Sequence, residues 1–291
     1  MTETQSPGQP LGQPLGLMSE AELEQYKLHR RFDRMGRLVG DTGMERLMGS
    51  YVMVIGLGGV GSWAAEGVVR AGVGEIAIVD FDEICVTNCN RQLQAMTGVV
   101  GQQKAEVLAE RFRKINPQAS ITAHVKFYNQ ESSDELLGRK PDYVIDAIDN
   151  ITAKCHLLHR CRKEGIPVVT ATGSGGRLDP TQVVVRDLAE TEVDPLARSI
   201  RKILRQQYDF PECGSFGIPA VFSAEPVIMP QELHYDGGKG FRCVCSNQGN
   251  ELHTCENRNV IMGNAGFVTG AFGMACASVA VRHLLSGSAT V

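Results

Sequence analysis

Gly56-Leu57-Gly58-Gly59-Val60-Gly61 is a GxGxxG run. It follows the apolar stretch Tyr51–Ile55 and precedes a helical pattern, the context that a phosphate-binding turn requires. Glycines let the backbone turn tightly and approach a phosphate. The helix that follows offers unpaired N–H groups and a partial positive charge. Asp80 lies 19 residues after Gly61, at the end of a second apolar stretch, Glu75–Val79. There a carboxylate can accept ribose hydroxyls. NAD, FAD and ATP can all use this geometry, so the glycine run alone does not choose between them.

The charged residues that follow bear on the choice. A dinucleotide needs a pyrophosphate cradle and little further charge, whereas a triphosphate needs cations converging on it. Arg91 stands in Asn88-Cys89-Asn90-Arg91-Gln92, and Lys104 opens the next helix after Gly101-Gln102-Gln103. Asp149 stands in Asp146-Ala147-Ile148-Asp149-Asn150, at the carboxyl end of the fourth expected strand, the edge where open α/β sheets bind ligands. Asp149 could hold Mg²⁺ together with phosphate oxygens and water. Arg91 and Lys104 could neutralise charge developing on phosphates. Each residue also has a plain use: Lys104 as a solvated helix start, Arg91 in a surface salt bridge, Asp149 as a helix cap.

The elements that must position these groups alternate. Strands are expected at Tyr51–Ile55, Glu75–Val79, Ser120–Val125, Tyr143–Ala147 and Ile166–Thr170. Between them, helical periodicity covers Val60–Ala71, Ala105–Ile115 and Thr152–Glu164. An earlier helix is expected over Ser19–Arg31, opened by the capping box Ser19-Glu20-Ala21-Glu22. Strands separated by helices of this length imply an α/β fold with a doubly wound, mainly parallel, Rossmann-like sheet and a C-terminal elaboration. Residues 1–18 read as a disordered leader without a signal peptide, 19–186 as the nucleotide-binding core, and 187–291 as an extension of the same domain. After Gly176 the pattern changes: Val183–Val185 reads as a strand, Pro195–Tyr208 as a helix, and 211–260 as an irregular excursion.

Composition sets outer limits. Hydrophobic residues make up 43 % of the 291, enough for a sizeable core. The net charge of −4 argues against bulk electrostatic binding of nucleic acid but allows a local basic patch. Nine cysteines with no CxxC pair indicate a reducing, cytoplasmic compartment. The uncharged stretch Val260–Val281 is about as long as a membrane span, but its glycines and few large apolar residues favour a closely packed core helix. Membrane association through 260–281 is the alternative.

Taken in order, these pieces resemble the E1-like adenylating superfamily of MoeB, ThiF and ubiquitin-activating domains. The matching segments are Arg31-Phe32-Asp33-Arg34, the glycine run, Asp80-Phe81-Asp82, Asn88 to Gln92, Gly101 to Lys104, Asn116-Pro117 and Asp146 to Asn150. The resemblance implies a homodimer that binds MgATP and converts a carboxylate into an acyl adenylate. It places Gly56, Gly58, Gly59 and Gly61 around the nucleotide and Asp80 on the ribose, with Asp82 in the same acidic motif. It sets Asn88, Arg91 and Lys104 on the phosphates and Asp149 in support of Mg²⁺. Arg34 would reach the triphosphate from the partner subunit.

Within the superfamily, Val60 to Glu66, Cys85 to Asn88, Gly175 to Gln182, Asp187-Leu188-Ala189, Asp194-Pro195-Leu196 and Val221 to Glu225 resemble the tRNA threonylcarbamoyladenosine dehydratases. The implied substrate is tRNA carrying t6A, whose threonyl carboxylate would be activated and closed into cyclic t6A. A monovalent cation and a cysteine desulfurase or sulfur-acceptor partner remain open additions; DNA is not implied. Zinc is not expected, because Cys243-x-Cys245 is too tight for the usual ligand spacing. Cys255, two residues after His253, is the candidate nucleophile, although intramolecular ring closure requires none.

A tRNA would need a local cationic surface. Arg198, Arg201, Lys202 and Arg205 recur at spacings of three and four and share a helix face, with Leu196, Ile200, Ile203 and Leu204 on another. Three other readings stand beside the dehydratase. An adenylyltransferase for a ubiquitin-like or sulfur-carrier protein would need a groove for a Gly-Gly tail. An NAD oxidoreductase would leave Arg91, Lys104 and Asp149 without a task. A non-catalytic nucleotide-binding scaffold would not need the intact charged set.

Overall fold

The computed structural model describes residues 30–234 and 262–287. The expected leader, nearly all of the Ser19–Arg31 helix, and Cys243, Cys245, His253 and Cys255 lie outside the described residues.

Two runs of five residues lie side by side in the sheet. β1 (Tyr51–Ile55) and β2 (Glu75–Val79) pair in parallel, from Tyr51 opposite Glu75 to Ile55 opposite Val79. Val52 and Val54 turn to one hydrophobic cluster, Met53 and Ile55 to another on the opposite face, and all four are buried. Burial on both faces is why these strands read as continuous apolar runs rather than as alternating ones. β3 (Ser120–His124) extends the sheet beyond β2; β4 (Tyr143–Asp146) and β5 (Val168–Ala171) continue it on the far side of β1. β7 (Pro219–Ser223) runs parallel to β5, and β6 (Val183–Asp187) closes the edge antiparallel to β7. The order is β3-β2-β1-β4-β5-β7-β6. The direction of winding reverses between β1 and β4, so a crevice opens at their carboxyl ends.

Helices cover both faces. α1 (Asp33–Gly49), α2 (Gly61–Ala71), α3 (Lys104–Ile115) and α7 (Gly266–Ser286) pack on the Val52 side. α4 (Gln130–Leu137), α5 (Ile151–Glu164) and α6 (Pro195–Gln207) pack on the Met53 side. α1 bends at Gly40, whose φ of 72° no ordinary residue adopts readily.

Among the described residues, α7 is the one helix long and apolar enough to cross a membrane. Instead it lies against α2 and the sheet, with Val268, Phe272, Cys276 and Ala280 fully buried. A Cβ on Gly273 would stand 2.5 Å from the Val60 carbonyl oxygen, and one on Gly67 would stand 2.6 Å from Ala277 Cβ. The core uses this apolar surface, so the expected alternative of membrane association through 260–281 is not supported.

Three elements differ from the sequence reading. β7 is inserted between β5 and β6 in the stretch expected to be irregular. It is only five residues long and begins at Pro219. α4 is eight residues long, closed at its start by Asn129, whose Oδ1 accepts from Ser132 N at 2.8 Å. α1 carries glycines at 36, 40, 43 and 49, which dilute its helical pattern.

Candidate nucleotide and substrate site

The glycine run leaves β1 at the crevice. Gly56 continues the ladder by donating to the Val79 carbonyl at 2.8 Å, then turns with φ 88°. A Cβ on Gly61 would lie 1.7 Å from the Gly56 carbonyl oxygen, so only glycine permits this closure. At Gly58 a Cβ would approach nothing nearer than Gln92 Nε2 at 3.9 Å, so that side of the loop is open. α2 begins here without a side-chain cap or an acidic residue in its first turn. No acidic side chain in that turn offsets the helix dipole at the loop, while Ser62 N is taken by the Gly58 carbonyl at 3.2 Å.

Two side chains hold the loop in this shape. Asp80 Oδ2 accepts from Leu57 N at 2.6 Å, and Gln94 Nε2 donates to the Leu57 carbonyl at 2.8 Å. Gln94 was not singled out from the sequence; only its proximity to Arg91 could have suggested it. Asp80 Oδ1 also accepts from Asp82 N at 2.9 Å. Asp80 therefore shapes the loop and retains spare lone pairs for a further donor.

Lys104, Asp82, Asp80 and Asp149 converge. Lys104 Nζ donates to Asp82 Oδ2 at 2.7 Å; the lysine side chain is 6 % exposed and the aspartate 34 %. Lys104 is therefore not a solvated helix start. Burial alone would lower its pKa, but Asp80, Asp82 and Asp149 outweigh it and hold the ammonium above its ordinary value. Three carboxylates around one lysine leave an excess of negative charge, partly at the solvent edge. Asp149 is exposed at the end of β4 and is not the cap of α5; Asn150 Oδ1 takes that role by accepting from Ala153 N at 3.0 Å.

Asn88 and Arg91 occupy a tight turn over the loop. Asn88 is buried, and its Oδ1 accepts from Cys85 N at 2.9 Å. Arg91 Nη1 donates to the Thr87 carbonyl and to Asn90 Oδ1, each at 2.9 Å. A Cβ on Gly59 would be 3.2 Å from Arg91 Cγ, which places the arginine stem across the glycine loop. Trp63 Nε1 donates to the Arg91 carbonyl at 3.1 Å, and a Cβ on Gly266 would meet the Asn90 carbonyl at 2.6 Å. The amino end of α7 thus supports the arginine turn directly. Arg34 is exposed on the first turn of α1, and among the described residues no hydrogen bond links it to this crevice.

The structure adds groups beneath the crevice that the sequence did not reveal. Lys154, Asp146 and Thr170 are fully buried. Lys154 Nζ donates to Asp146 Oδ2 at 2.6 Å, to Thr170 Oγ1 at 3.1 Å and to the Ala171 carbonyl at 3.0 Å. Asp146 Oδ1 accepts from Ile148 N at 3.1 Å, tying this pair to the strand end that carries Asp149. On the far side, Gly173 N and Thr172 Oγ1 donate to Asp194 Oδ2 at 2.9 and 3.1 Å. Arg177, just beyond, is 2 % exposed, and its Nε and Nη2 have no hydrogen-bond partner among the described residues.

Among the described residues, no group of three His, Cys, Asp or Glu side chains forms a ready metal cage. Cys85, Cys155, Cys161 and Cys276 are buried free thiols, and burial pushes the last of these up to about 12. Such a thiol is not a nucleophile at neutral pH.

Comparison with known proteins agrees with this geometry. The ThiF family matches residues 32–290. A tRNA threonylcarbamoyladenosine dehydratase of Haemophilus influenzae is 43 % identical over 219 residues, covering 75 % of this chain and 83 % of that protein. The Escherichia coli K12 tRNA threonylcarbamoyladenosine dehydratase is 37 % identical over 262 residues, covering 89 % and 95 %. The crystal structure of E. coli tRNA N6-threonylcarbamoyladenosine dehydratase, TcdA, in complex with ATP superposes with a TM-score of 0.76 at 35 % identity, covering 93 % of this chain and 97 % of that one. Matched by that family over residues 32–290, with relatives that span most of both chains, the chain belongs to the ThiF family.

Proposed function

We propose that the protein is an ATP-dependent tRNA threonylcarbamoyladenosine dehydratase. The observation that carries this reading is buried Lys104 paired with half-buried Asp82 beside the glycine loop, in a chain that matches dehydratases over about nine-tenths of its length. The triphosphate of the substrate ATP lies on the loop and the start of α2, with Lys104, Arg91 and Asn88 on its oxygens. Asp80 and Asp82 face the ribose. The threonyl carboxylate of t6A attacks the α-phosphorus, and pyrophosphate leaves. The ureido nitrogen of the same nucleoside then attacks the acyl carbon, loses its proton, and AMP leaves with the former carboxylate oxygen. The net change is loss of one water and closure of a ring. The chain's residues orient the two reactants and spread the phosphate charge.

Mg²⁺ fits the donor set. Asp149 is an exposed carboxylate without a structural duty, and it lies close enough to Lys104 to raise its pKa. One or two carboxylates completed by phosphate oxygens and water is the usual Mg²⁺ arrangement. When bound, the ion would offset charge on the transferring phosphates. Resemblance to E1-like enzymes supports a homodimer in which Arg34 serves the partner's crevice, and the free thiols support a cytoplasmic setting.

Activation of a ubiquitin-like or sulfur-carrier protein is not favoured, since the relatives that span most of the chain are named dehydratases. AMP release measured with MgATP and either t6A-bearing tRNA or a carrier protein separates the two. AMP formed only with the carrier would overturn the proposal.

A further inference from the structure

Among the described residues, the cations of α6 are not neutralised by ion pairs, and two of them, Arg201 and Arg205, are held by neutral partners. None of the ion pairs among the described residues includes Arg198, Arg201, Lys202 or Arg205, or the neighbouring Arg162. Their partners are neutral. Arg201 donates to the Thr191 hydroxyl, and Arg205 Nε donates to the Pro211 carbonyl at 3.3 Å. The Arg205 guanidinium lies 5.1 Å from the Phe216 ring centre, and that of Arg162 lies 4.4 Å from Phe210. The two rings meet edge to face at 5.0 Å. These contacts fix the guanidinium groups and leave their charge in place.

The rest of the charge pattern makes this face distinct. Arg160, on the same side of the sheet, is paired with Asp134 and Glu164. Arg198, Arg201, Lys202 and Arg205 instead line a surface depression with Gln206 and a lone carboxylate, Glu212. Burial, then Arg205 and Arg198, lower the pKa of Arg201; Asp194 opposes them. Asp194 is otherwise engaged, since its oxygens accept from Ala197 N at 2.7 Å, Gly173 N and Thr172 Oγ1. A protein with a net charge of −4 thus concentrates uncompensated positive charge on one helix.

The same aspartate fixes where that helix begins. By capping α6 while accepting from Gly173, it ties the basic face to the carboxyl end of β5, at the rim of the crevice. From there the 13 residues of α6 extend for roughly 20 Å. We infer that the α6 face, with Arg162 and the Phe210–Phe216 pair beside it, is the docking surface for the tRNA phosphate backbone. It holds the nucleic acid so that the modified nucleoside reaches the crevice. The inference rests on the dehydratase reading and adds a binding surface to it.

The test is the double variant Arg198→Glu, Lys202→Glu, two exposed positions outside the crevice. Binding of t6A-bearing tRNA is measured across a salt series, with ATP binding and Tm as controls. The expected result is a loss of affinity of about tenfold or more at low salt, with the slope of log K against log salt shallower by about 1–2, as for one or two lost phosphate contacts. At saturating tRNA, kcat is retained while KM rises. The neutral pair Arg198→Gln, Lys202→Gln should fall between. Unchanged affinity and slope, in a wild type that binds the tRNA, would overturn the α6 assignment. A wild type that neither binds nor converts t6A-bearing tRNA would overturn the dehydratase reading itself.

Discussion

Lys104 Nζ lies 2.7 Å from Asp82 Oδ2, with the lysine buried and the aspartate reaching the open edge of the crevice. A lysine at this depth is useful when an anion completes its coordination. Replacing it by methionine keeps the stem and removes the charge. Adenylation by Lys104→Met should fall by about 10²-fold or more, the scale seen when one preorganised electrostatic group is lost. Pyrophosphate release checks this; near-normal release would remove Lys104 from the phosphate site.

Asp149 and Asn150 are adjacent and should behave in opposite ways. Asn150 caps α5, so Asn150→Ala should cost about 1 kcal/mol of stability. Asp149 is exposed and caps nothing, so Asp149→Ala should leave stability within about 0.5 kcal/mol while abolishing adenylation. Urea unfolding and AMP release, run on both variants, distinguish the two duties. An active Asp149→Ala enzyme contradicts the metal role.

β1 and β2, the glycine loop and its acid were legible because each is local. An apolar run of five residues, a GxGxxG turn and a carboxylate at the next strand end carry their signals in a short window. β7 was illegible because five residues beginning at Pro219 sit in a loop-rich stretch, and only its neighbours β5 and β6 make it a strand. Lys104 was legible as chemistry but not as a buried residue, since burial depends on Asp80 and Asp82 arriving from β2. Lys154 had no sequence signal: a lysine in the first turn of a polar helix looks solvated until Asp146 and Thr170 are placed beneath it.

Glu66 couples α2 to α3, accepting from Arg111 at 2.9 Å with both oxygens and from Arg70 at 2.7 Å. Burial pushes its carboxyl up, but the two arginines outweigh burial and hold it below its ordinary value of 4.5. Its contribution to stability is therefore fully present above that value and is lost as pH falls through the lower folded-state pKa. Glu66→Gln should be less stable than wild type at neutral pH by about 1–3 kcal/mol. The gap should close well below 4.5. Urea unfolding at both pH values checks it; a gap that stays constant would refute the linkage.

Arg177 has the opposite balance. Two of its guanidinium nitrogens are buried without a partner among the described residues, a cost on the order of 1–3 kcal/mol. Arg177→Met keeps the stem and should raise Tm, by roughly 2–4 °C for each kcal/mol recovered. A lowered Tm would show that the guanidinium is satisfied in solution.

The most direct measurement is the mass of the modified nucleoside after t6A-bearing tRNA is incubated with the protein and MgATP, then digested. A nucleoside lighter by one water, formed only with ATP and matched by AMP, is the predicted result. Unchanged t6A with a protein that still binds ATP would contradict it.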